Sequence, residues 1–400
     1  MRSVRFLSAA CAAFLLALPL SAQDAERRPM TTDDGLDMVG LGGVLMHPSG
    51  DWVLFSKSEL DWGENKRETT WWRANADGSA AYRYIGEEGG SAFQFSPDGQ
   101  WLSFRRSVDG KSQLFLMRTD GGEAVQLSKH DASLGSYQWL EDGSGVVFVS
   151  SDARDKKEEA ERKKGLDHIV VDEGPNGQRE GQWNNLWFLA ADSEDGKPEQ
   201  LTEEEHRIGS FAVSPDGQHI AFTARTENRR NQGNLAEIFL LDREAGESRQ
   251  LTDNAAPESG LTWFPDGSRL VFSAPSRDEW ELQLNKLWTL DPESGDEALF
   301  LDFDGNMGTR AFTPDGATMF FSGQHGTNRN LYRLNVESGQ VTQVTDHVGS
   351  LSPSSFSRDR SRMAYVRQDM ATPPDLFVSP TASLQPTRLT ELNPEITSDI

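Results

Sequence analysis

The chain has 400 residues and a formal charge of −24, with 39 Lys and Arg against 63 Asp and Glu. With 36% hydrophobic and 26% charged residues, its composition is that of a soluble protein rather than a disordered chain or a membrane bundle. The acidic balance argues against binding to nucleic acid or to an anionic membrane surface, because both need clusters of Lys and Arg. The 11 Trp and 36 Gly are high counts, and both residues recur in all-β repeat proteins.

The first residues have the pattern of a secretory signal peptide. Arg2 and Arg5 supply positive charge, the apolar run that follows is too short to cross a bilayer, and small residues end at Ala22. We therefore predict that residues 1–22 are removed and that the mature protein is secreted or periplasmic, without a membrane anchor. The single cysteine, Cys11, lies inside this segment, so the mature chain is expected to use neither a disulfide nor thiol chemistry.

One short phrase recurs along the rest of the chain. In its clearest form it reads Ser/Thr-Pro-Asp-Gly, with an apolar or aromatic residue before it and an alternating apolar strand after it. Proline presets the backbone, Asp bonds nearby N–H groups and Gly supplies a positive φ, so the phrase predicts a hairpin turn. The residues at the second position of the turn are Pro48, Pro97, Glu141, Pro215, Pro265, Pro314 and Arg358. The copies at 48, 141 and 358 are degenerate.

The copies follow one another at nearly equal steps. Successive turn positions differ by 49, 44, 74, 50, 49 and 44 residues, and the long step contains an insertion at about residues 152–182. Each copy continues with a third strand, a polar turn and a fourth strand that ends in Leu-Thr or a similar pair. Four short strands per repeat form a β-propeller blade, and blades must stack in a ring to bury both faces. We therefore predict an all-β fold, a seven-bladed β-propeller of four-stranded blades over residues 23–394.

The predicted insertion carries a run of mixed charge at residues 156–164. One interpretation is a surface loop, and the other is a flap or a contact with another domain. The sequence alone leaves both interpretations open.

These features resemble the N-terminal propeller half of the prolyl oligopeptidase family of serine peptidases. The resemblance rests on the signal peptide, on the segment 31–36 that precedes the first repeat and on the repeated turns. Residues 167–172, 185–188 and 389–394 are similar to the acylaminoacyl-peptidase and dipeptidyl-peptidase branches. Periplasmic propellers of the Tol-Pal type share the turn but combine six blades with a small α/β domain, and this pattern is not seen in the chain.

The resemblance implies that the chain is the substrate-gating propeller of a secreted or periplasmic peptidase that cleaves short peptides. In that family an α/β-hydrolase domain with catalytic Ser, Asp and His follows the propeller, so residues 395–400 are expected to begin a linker to it. Peptide substrates and that hydrolase domain, if the full-length protein has one, are the expected partners. The alternative is a stand-alone, Tol-Pal-like periplasmic propeller that acts as a protein-binding scaffold.

The sequence offers no set of residues suited to catalysis. It has no Gly-x-Ser-x-Gly nucleophile elbow, its seven histidines fall in or near turns, and it has neither a His-Glu-x-x-His motif nor a cysteine pair. The Asp residues of the turns are better explained by turn capping than by calcium. We therefore predict no catalytic residue, no metal and no cofactor, and no activity for the chain alone.

Glu204 and Glu205 are the candidates for a contact with substrate. In dipeptidyl peptidases, paired glutamates of the propeller hold the free amino group of the substrate, and carboxylates pair well with an ammonium. The pair follows a Leu-Thr strand ending, however, where a solvated polar loop is also expected. Trp71, Trp72 and Trp183 are expected to pack in blade cores or against the insertion, with a peptide-contacting surface as the alternative.

Overall fold

The computed structural model describes residues 28–151, 164, 183–226, 234–254, 256–276 and 280–398. The predicted signal peptide lies outside these residues, and so does the predicted insertion at about 152–182, apart from Lys164. None of the helices in the described ranges is long and apolar enough to cross a membrane.

The described residues fold into short strands that pair in consecutive sets of four. Parallel pairing of Asn184 with Arg207 joins the third set to the fourth, and that of Arg329 with Ser350 joins the sixth to the seventh, so these sets form two eight-stranded sheets. The first set contains β1 (Gly40–Met46), β2 (Trp52–Asp61), β3 (Lys66–Asn75) and β4 (Ala81–Arg83). The second set contains β5 (Ser91–Phe95), β6 (Trp101–Val108), β7 (Lys111–Arg118) and β8 (Val125–Gln126). The third set contains β9 (Leu134–Trp139), β10 (Gly145–Ser151), β11 (Asn184–Ala190) and β12 (Glu199–Gln200).

The same order continues to the end of the chain. The fourth set contains β13 (Arg207–Val213), β14 (His219–Arg225), β15 (Glu237–Asp242) and β16 (Glu247–Gln250). The fifth set contains β17 (Ser259–Trp263), β18 (Leu270–Ala274), β19 (Lys286–Leu290) and β20 (Glu297–Leu301). The sixth set contains β21 (Asn306–Phe312), β22 (Thr318–His325), β23 (Asn328–Asn335) and β24 (Val341–Gln343). The last set contains β25 (Ser350–Phe356), β26 (Arg362–Gln368), β27 (Asp375–Pro380) and β28 (Thr387–Arg388).

Short helices lie at the two ends of the strand series. Helix α1 (Thr32–Asp37) has a capping box, in which the Thr31 hydroxyl accepts from the Asp34 N–H and the Asp34 carboxylate accepts from the Thr31 N–H. Helix α2 (Pro394–Ser398) follows the last strand, and a 3-10 helix (Trp280–Leu282) precedes β19.

The predicted turn joins the first strand of each set to the second. In the second set, the Ser96 hydroxyl donates to the Asp98 carboxylate at 2.6 Å, and the same carboxylate accepts from the Gln100 N–H at 3.0 Å. Gly99 has φ +74°, a conformation that favours a residue without a Cβ. The predicted turn chemistry is therefore confirmed. The same hydroxyl-to-Asp bond is made by Ser214, Thr313 and Ser357.

A buried hydroxyl after the fourth strand ties that strand to the third. In the sixth set, Thr345 Oγ1 accepts from the Leu331 N–H at 2.9 Å and donates to Asn330 Oδ1 at 2.8 Å. The Asn330 oxygen also accepts from the His347 N–H at 2.8 Å. These groups are shielded from water, so each needs a partner within the protein. The hydroxyls of Ser128, Thr202, Thr252 and Thr390 accept the corresponding N–H in other sets.

The last set packs against the first and so closes the strand series into a ring. The core at this junction contains Phe55 of β2, Ala364 of β26 and Leu376 of β27. The side-chain amide of Asn393 accepts from the Val39 N–H at 2.8 Å and donates to the Val39 carbonyl at 3.1 Å. Among the described strands, none of the first set pairs with any of the last. Side-chain packing and these hydrogen bonds, rather than a shared strand, therefore hold the ends together.

Replacing Thr345 by Val tests the contribution of the buried hydroxyl. Thr345→Val leaves the buried Leu331 N–H without its acceptor, so we expect the free energy of unfolding to fall by about 1–3 kcal/mol. Thr342→Val, in the half-buried strand β24, is the matched control, and we expect it to change stability by less than about 0.5 kcal/mol. Urea unfolding followed by tryptophan fluorescence measures both variants. Equal stability of the two would contradict the assigned role.

Candidate functional site

The turns between first and second strands meet one another around one end of the ring. A Cβ placed on Gly316 would lie 3.7 Å from Pro265 of the preceding turn, and one on Gly267 would lie 3.8 Å from Pro215. Where the chain ends meet, a Cβ on Gly50 would lie 3.2 Å from Ser357. Each of these turns therefore abuts the turn before it. The residues at the second turn position, from Pro48 to Arg358, form what we call the rim.

A cavity of about 540 Å³ lies inside the rim. Most of the remaining wall comes from the first strands β13, β17 and β21, which contribute Phe211, Leu261, Trp263 and Phe312 among others. This central cavity therefore brings together residues that lie far apart in the sequence. Its lining includes the rim residues Glu141, Pro215, Pro265, Pro314 and Arg358.

Two rim positions carry a charge where the others carry proline, and these two residues pair with each other. Nη2 of Arg358 lies 3.2 Å from Oε2 of Glu141. Nη1 of Arg358 donates to the carbonyl oxygen of Pro97. Arg358 belongs to the last set, whereas its partners belong to the third and second sets. One side chain therefore reaches across the rim and links sets that are not neighbours in the ring.

Two further guanidinium groups line the central cavity and bond to backbone carbonyls. Nε of Arg360 donates to the Phe312 carbonyl at 3.0 Å, and its Nη1 donates to the Ser357 carbonyl at 2.9 Å. Nη2 of Arg310 donates to the Gly260 carbonyl. Burial lowers the pKa of Arg310 to about 10 and lowers the pKa of Arg360, because a cation withdrawn from water is poorly solvated.

Arg360 occupies the position that glycine holds in the other turns. Its φ is +60°, whereas the glycines at the equivalent positions, such as Gly99 and Gly316, have φ near +70°. An L-residue with a side chain adopts this left-handed region at a cost of about 1–2 kcal/mol. By sequence alone, the last turn and the turn at Glu141 are simply degenerate copies of the phrase. The signal that could have identified the pair is the opposite charge of Glu141 and Arg358, which occupy equivalent positions of the repeat.

The structure places Glu204 and Glu205 away from the central cavity. Both are exposed and lie between β12 and β13, at the end of β13 opposite to the turn that contributes to the rim. The Glu204 carboxylate accepts from the Glu203 N–H at 3.1 Å. Their predicted contact with a substrate amine stays a prediction.

The tryptophans singled out from the sequence pack as predicted where their packing is described. The Trp71 ring lies 4.3 Å from the Phe93 ring, and Trp72 packs against the core shared by the first and last sets. Trp183 is half-buried. Within the described ranges, no group of three or more His, Cys, Asp or Glu side chains is close enough to hold a metal ion.

A second cavity, of about 410 Å³, lies between the fourth and fifth sets and is lined by Arg207, Arg225 and Glu258 among others. Glu258 is only 5% exposed, and its carboxylate accepts from the Thr252 hydroxyl at 2.6 Å and from the Asn254 amide at 2.7 Å. Burial raises the pKa of Glu258 to about 7, because the charged form loses hydration. This carboxyl group therefore titrates near neutral pH.

Several solved structures share this fold. Acylaminoacyl peptidase from Pyrococcus horikoshii matches 90% of the chain with a TM-score of 0.67 and 17% identity. The β-propeller domain of the trilobed protease from Pyrococcus furiosus, described as having an open velcro topology, matches 90% with a TM-score of 0.62 and 16% identity. Oligogalacturonate lyase in complex with manganese matches 85% with a TM-score of 0.62 and 16% identity. No protein-family model matches the chain, and no curated protein matches it in sequence.

The matches differ in how much of the other protein they cover. The chain spans 54% of the acylaminoacyl peptidase, 97% of the isolated propeller domain and 90% of the lyase. At this level of identity the matches establish the fold, which is the all-β propeller expected from the sequence. The predicted resemblance to the propeller part of prolyl oligopeptidase-type enzymes is confirmed at the level of fold.

The raised pKa of Glu258 predicts a pH-dependent stability. In the unfolded chain Glu258 ionises near its ordinary value of 4.5, whereas in the folded protein it stays protonated up to about 7. Its contribution is therefore fully present below about pH 4.5 and is lost as pH rises through about 7, a total of about 3 kcal/mol at most.

Urea unfolding at about pH 5 and about pH 8 checks this expectation. The wild type should lose stability between the two values relative to Glu258→Gln, which has no carboxyl proton to release. Glu247→Gln, at an exposed position of β16, is the control and should change in parallel with the wild type. A parallel change in Glu258→Gln as well would show that Glu258 has an ordinary pKa.

Proposed function

We propose that the chain forms one seven-bladed propeller, the substrate-gating domain of a secreted or periplasmic serine peptidase that cleaves short peptides. The strands β1–β28 divide by four into seven sets, each of which would be one blade. The supporting observation is the likeness over 90% of the chain to a peptidase of which the chain spans only 54%. The Ser-His-Asp triad and the oxyanion hole would lie on an α/β-hydrolase domain outside these 400 residues.

In this proposal the central cavity is the path for substrate, and the pair of Arg358 and Glu141 is the barrier at its entrance. Both side chains are more than half exposed, at 54% and 61%, so their ion pair contributes at most about 1 kcal/mol. A pair of that strength opens and closes through side-chain motion alone. A cavity of about 540 Å³ has room for a short peptide but not for a folded domain, which gives the selectivity for size.

The native protein, purified from its own cells, tests the proposal by intact mass and by labelling with a serine-directed fluorophosphonate. We expect a labelled species far above the 44.4 kDa of this chain, because the nucleophile would lie on a further domain. The 400-residue chain by itself should not be labelled, since its sequence has no nucleophile elbow. An unlabelled native species at or below 44.4 kDa would overturn the proposal and favour the Tol-Pal-like scaffold.

Within the same proposal, Glu204 and Glu205 hold the free amino group of the substrate. Replacing both by Gln in the full-length protein removes two charges that would face an ammonium, so KM for peptides with a free N-terminus should rise about 10- to 100-fold. KM for the N-acetylated forms of the same peptides should stay unchanged. Glu203→Gln, at the adjacent exposed position, is the control. An unchanged KM for the free peptides would remove this role.

A further inference from the structure

The central cavity is positively charged, although the chain as a whole carries a charge of −24. Its charged lining residues are three arginines, Arg310, Arg358 and Arg360, and one acid, Glu141. The remaining lining residues are uncharged. A cavity that gathers cations inside apolar walls focuses a positive potential and attracts anions.

The guanidinium groups in this cavity retain donors that can serve a ligand. A guanidinium has about five N–H donors. The hydrogen bonds to described residues use Nη2 of Arg310, and Nε and Nη1 of Arg360. Neither guanidinium forms an ion pair with a described acid. Glu141 and Asp359 act on Arg360 at longer range, whereas the partly buried charge of Arg310 has no counter-charge beside it. Such a charge is costly unless an anion accompanies it.

The backbone conformation of Arg360 is a second, independent indication that this side chain has a functional role. Glycine would take φ +60° without strain, and glycine does so at the equivalent position of the other turns. A strained residue at a cavity wall is a marker of function, because stability alone favours the unstrained one. The strain here places a guanidinium in the central cavity.

From these observations we propose that the central cavity binds the carboxylate of a small ligand through Arg310, Arg358 and Arg360. Paired N–H groups of arginine match the two oxygens of a carboxylate. Phe211, Leu261, Trp263 and Phe312 supply an apolar wall for the rest of the ligand, and small-ligand pockets are typically about 300–1,000 Å³ in volume. The ligand class is therefore a carboxylate next to an apolar group, of about dipeptide size.

Binding also changes the barrier at the rim. In the structure, Nη2 of Arg358 is paired with Oε2 of Glu141 at 3.2 Å. A bound carboxylate competes with Glu141 for this group, so the ligand itself releases the link across the rim. Carboxylate binding needs only the propeller and is independent of a peptidase domain, whereas the barrier role of the rim pair rests on the proposed function.

Titration of the native protein with the dipeptide Gly-Phe and with its C-terminal amide tests the inference. A fluorophosphonate first blocks any serine nucleophile, so the readout is binding and is independent of catalysis. Calorimetry follows the titration, together with the intrinsic tryptophan fluorescence, to which Trp263 of the cavity wall contributes. We expect Gly-Phe to bind at least about tenfold more tightly than the amide, and more weakly as salt is added. Equal binding of acid and amide, or no saturable binding of either, would overturn the inference.

A second probe, 3-phenylpropionate, distinguishes a site for peptide C-termini from a site for simple carboxylic acids. It carries the carboxylate and an aromatic group but no peptide bond. Binding as tight as that of Gly-Phe supports the site and assigns it to simple carboxylic acids. Weaker binding supports the site and assigns it to peptide C-termini.

Variants of the arginines distinguish recognition from folding. Arg360→Gly removes a guanidinium and relieves the positive φ, so it should weaken Gly-Phe binding about tenfold or more while Tm stays equal or rises. Arg310→Gln should weaken binding similarly. Arg333→Gln, on an exposed position of β23, is the control and should leave binding unchanged.

Glu141→Gln should change affinity in the opposite direction. It removes the competing carboxylate from Arg358, so binding of Gly-Phe should tighten. Weaker binding in this variant, or unchanged binding in both Arg360→Gly and Arg310→Gln, would contradict the proposed site.

Discussion

A four-stranded set with two apolar faces cannot bury both faces by itself, and the architecture of this protein depends on that constraint. Strand β14 illustrates it. Ile220 and Phe222 pack into the core shared with the third set, whereas Ala221 between them packs into the core shared with the fifth set. All three residues are fully buried. Because successive side chains of a strand point to opposite faces, every set needs two neighbours, and only a closed ring supplies them.

Closure of that ring creates the central cavity. The junction is held by apolar packing and by the paired hydrogen bonds between Asn393 and Val39, without an exchanged strand. Once the ends meet, the last turn faces the second and third sets, and Arg358 reaches Glu141. The charged pair across the rim is therefore a consequence of closure.

The cavity combines features that do not favour stability with features that suit a ligand. Arg360 holds a left-handed backbone conformation, and Arg310 keeps a partly buried charge with a backbone partner. The buried network of Thr345 and Asn330, by contrast, pairs both of its side chains with partners in the protein. The contrast is between a local network that is fully hydrogen-bonded and a cavity in which the charge of Arg310 has no counter-charge beside it.

The sequence by itself determined the repeat, the turns and the order of strands, because these depend on contacts between residues close in the chain. The bond from Ser96 to Asp98 spans two residues, and it follows directly from the Ser-Pro-Asp-Gly phrase. The tertiary structure alone decided which copies meet at the centre, since 217 residues separate Glu141 from Arg358. It also decided the pKa of Glu258, which burial raises although hydrogen bonds from Thr252 and Asn254, close in the sequence, lower it. A repeat makes its copies equivalent locally, and only ring closure gives each one a distinct environment.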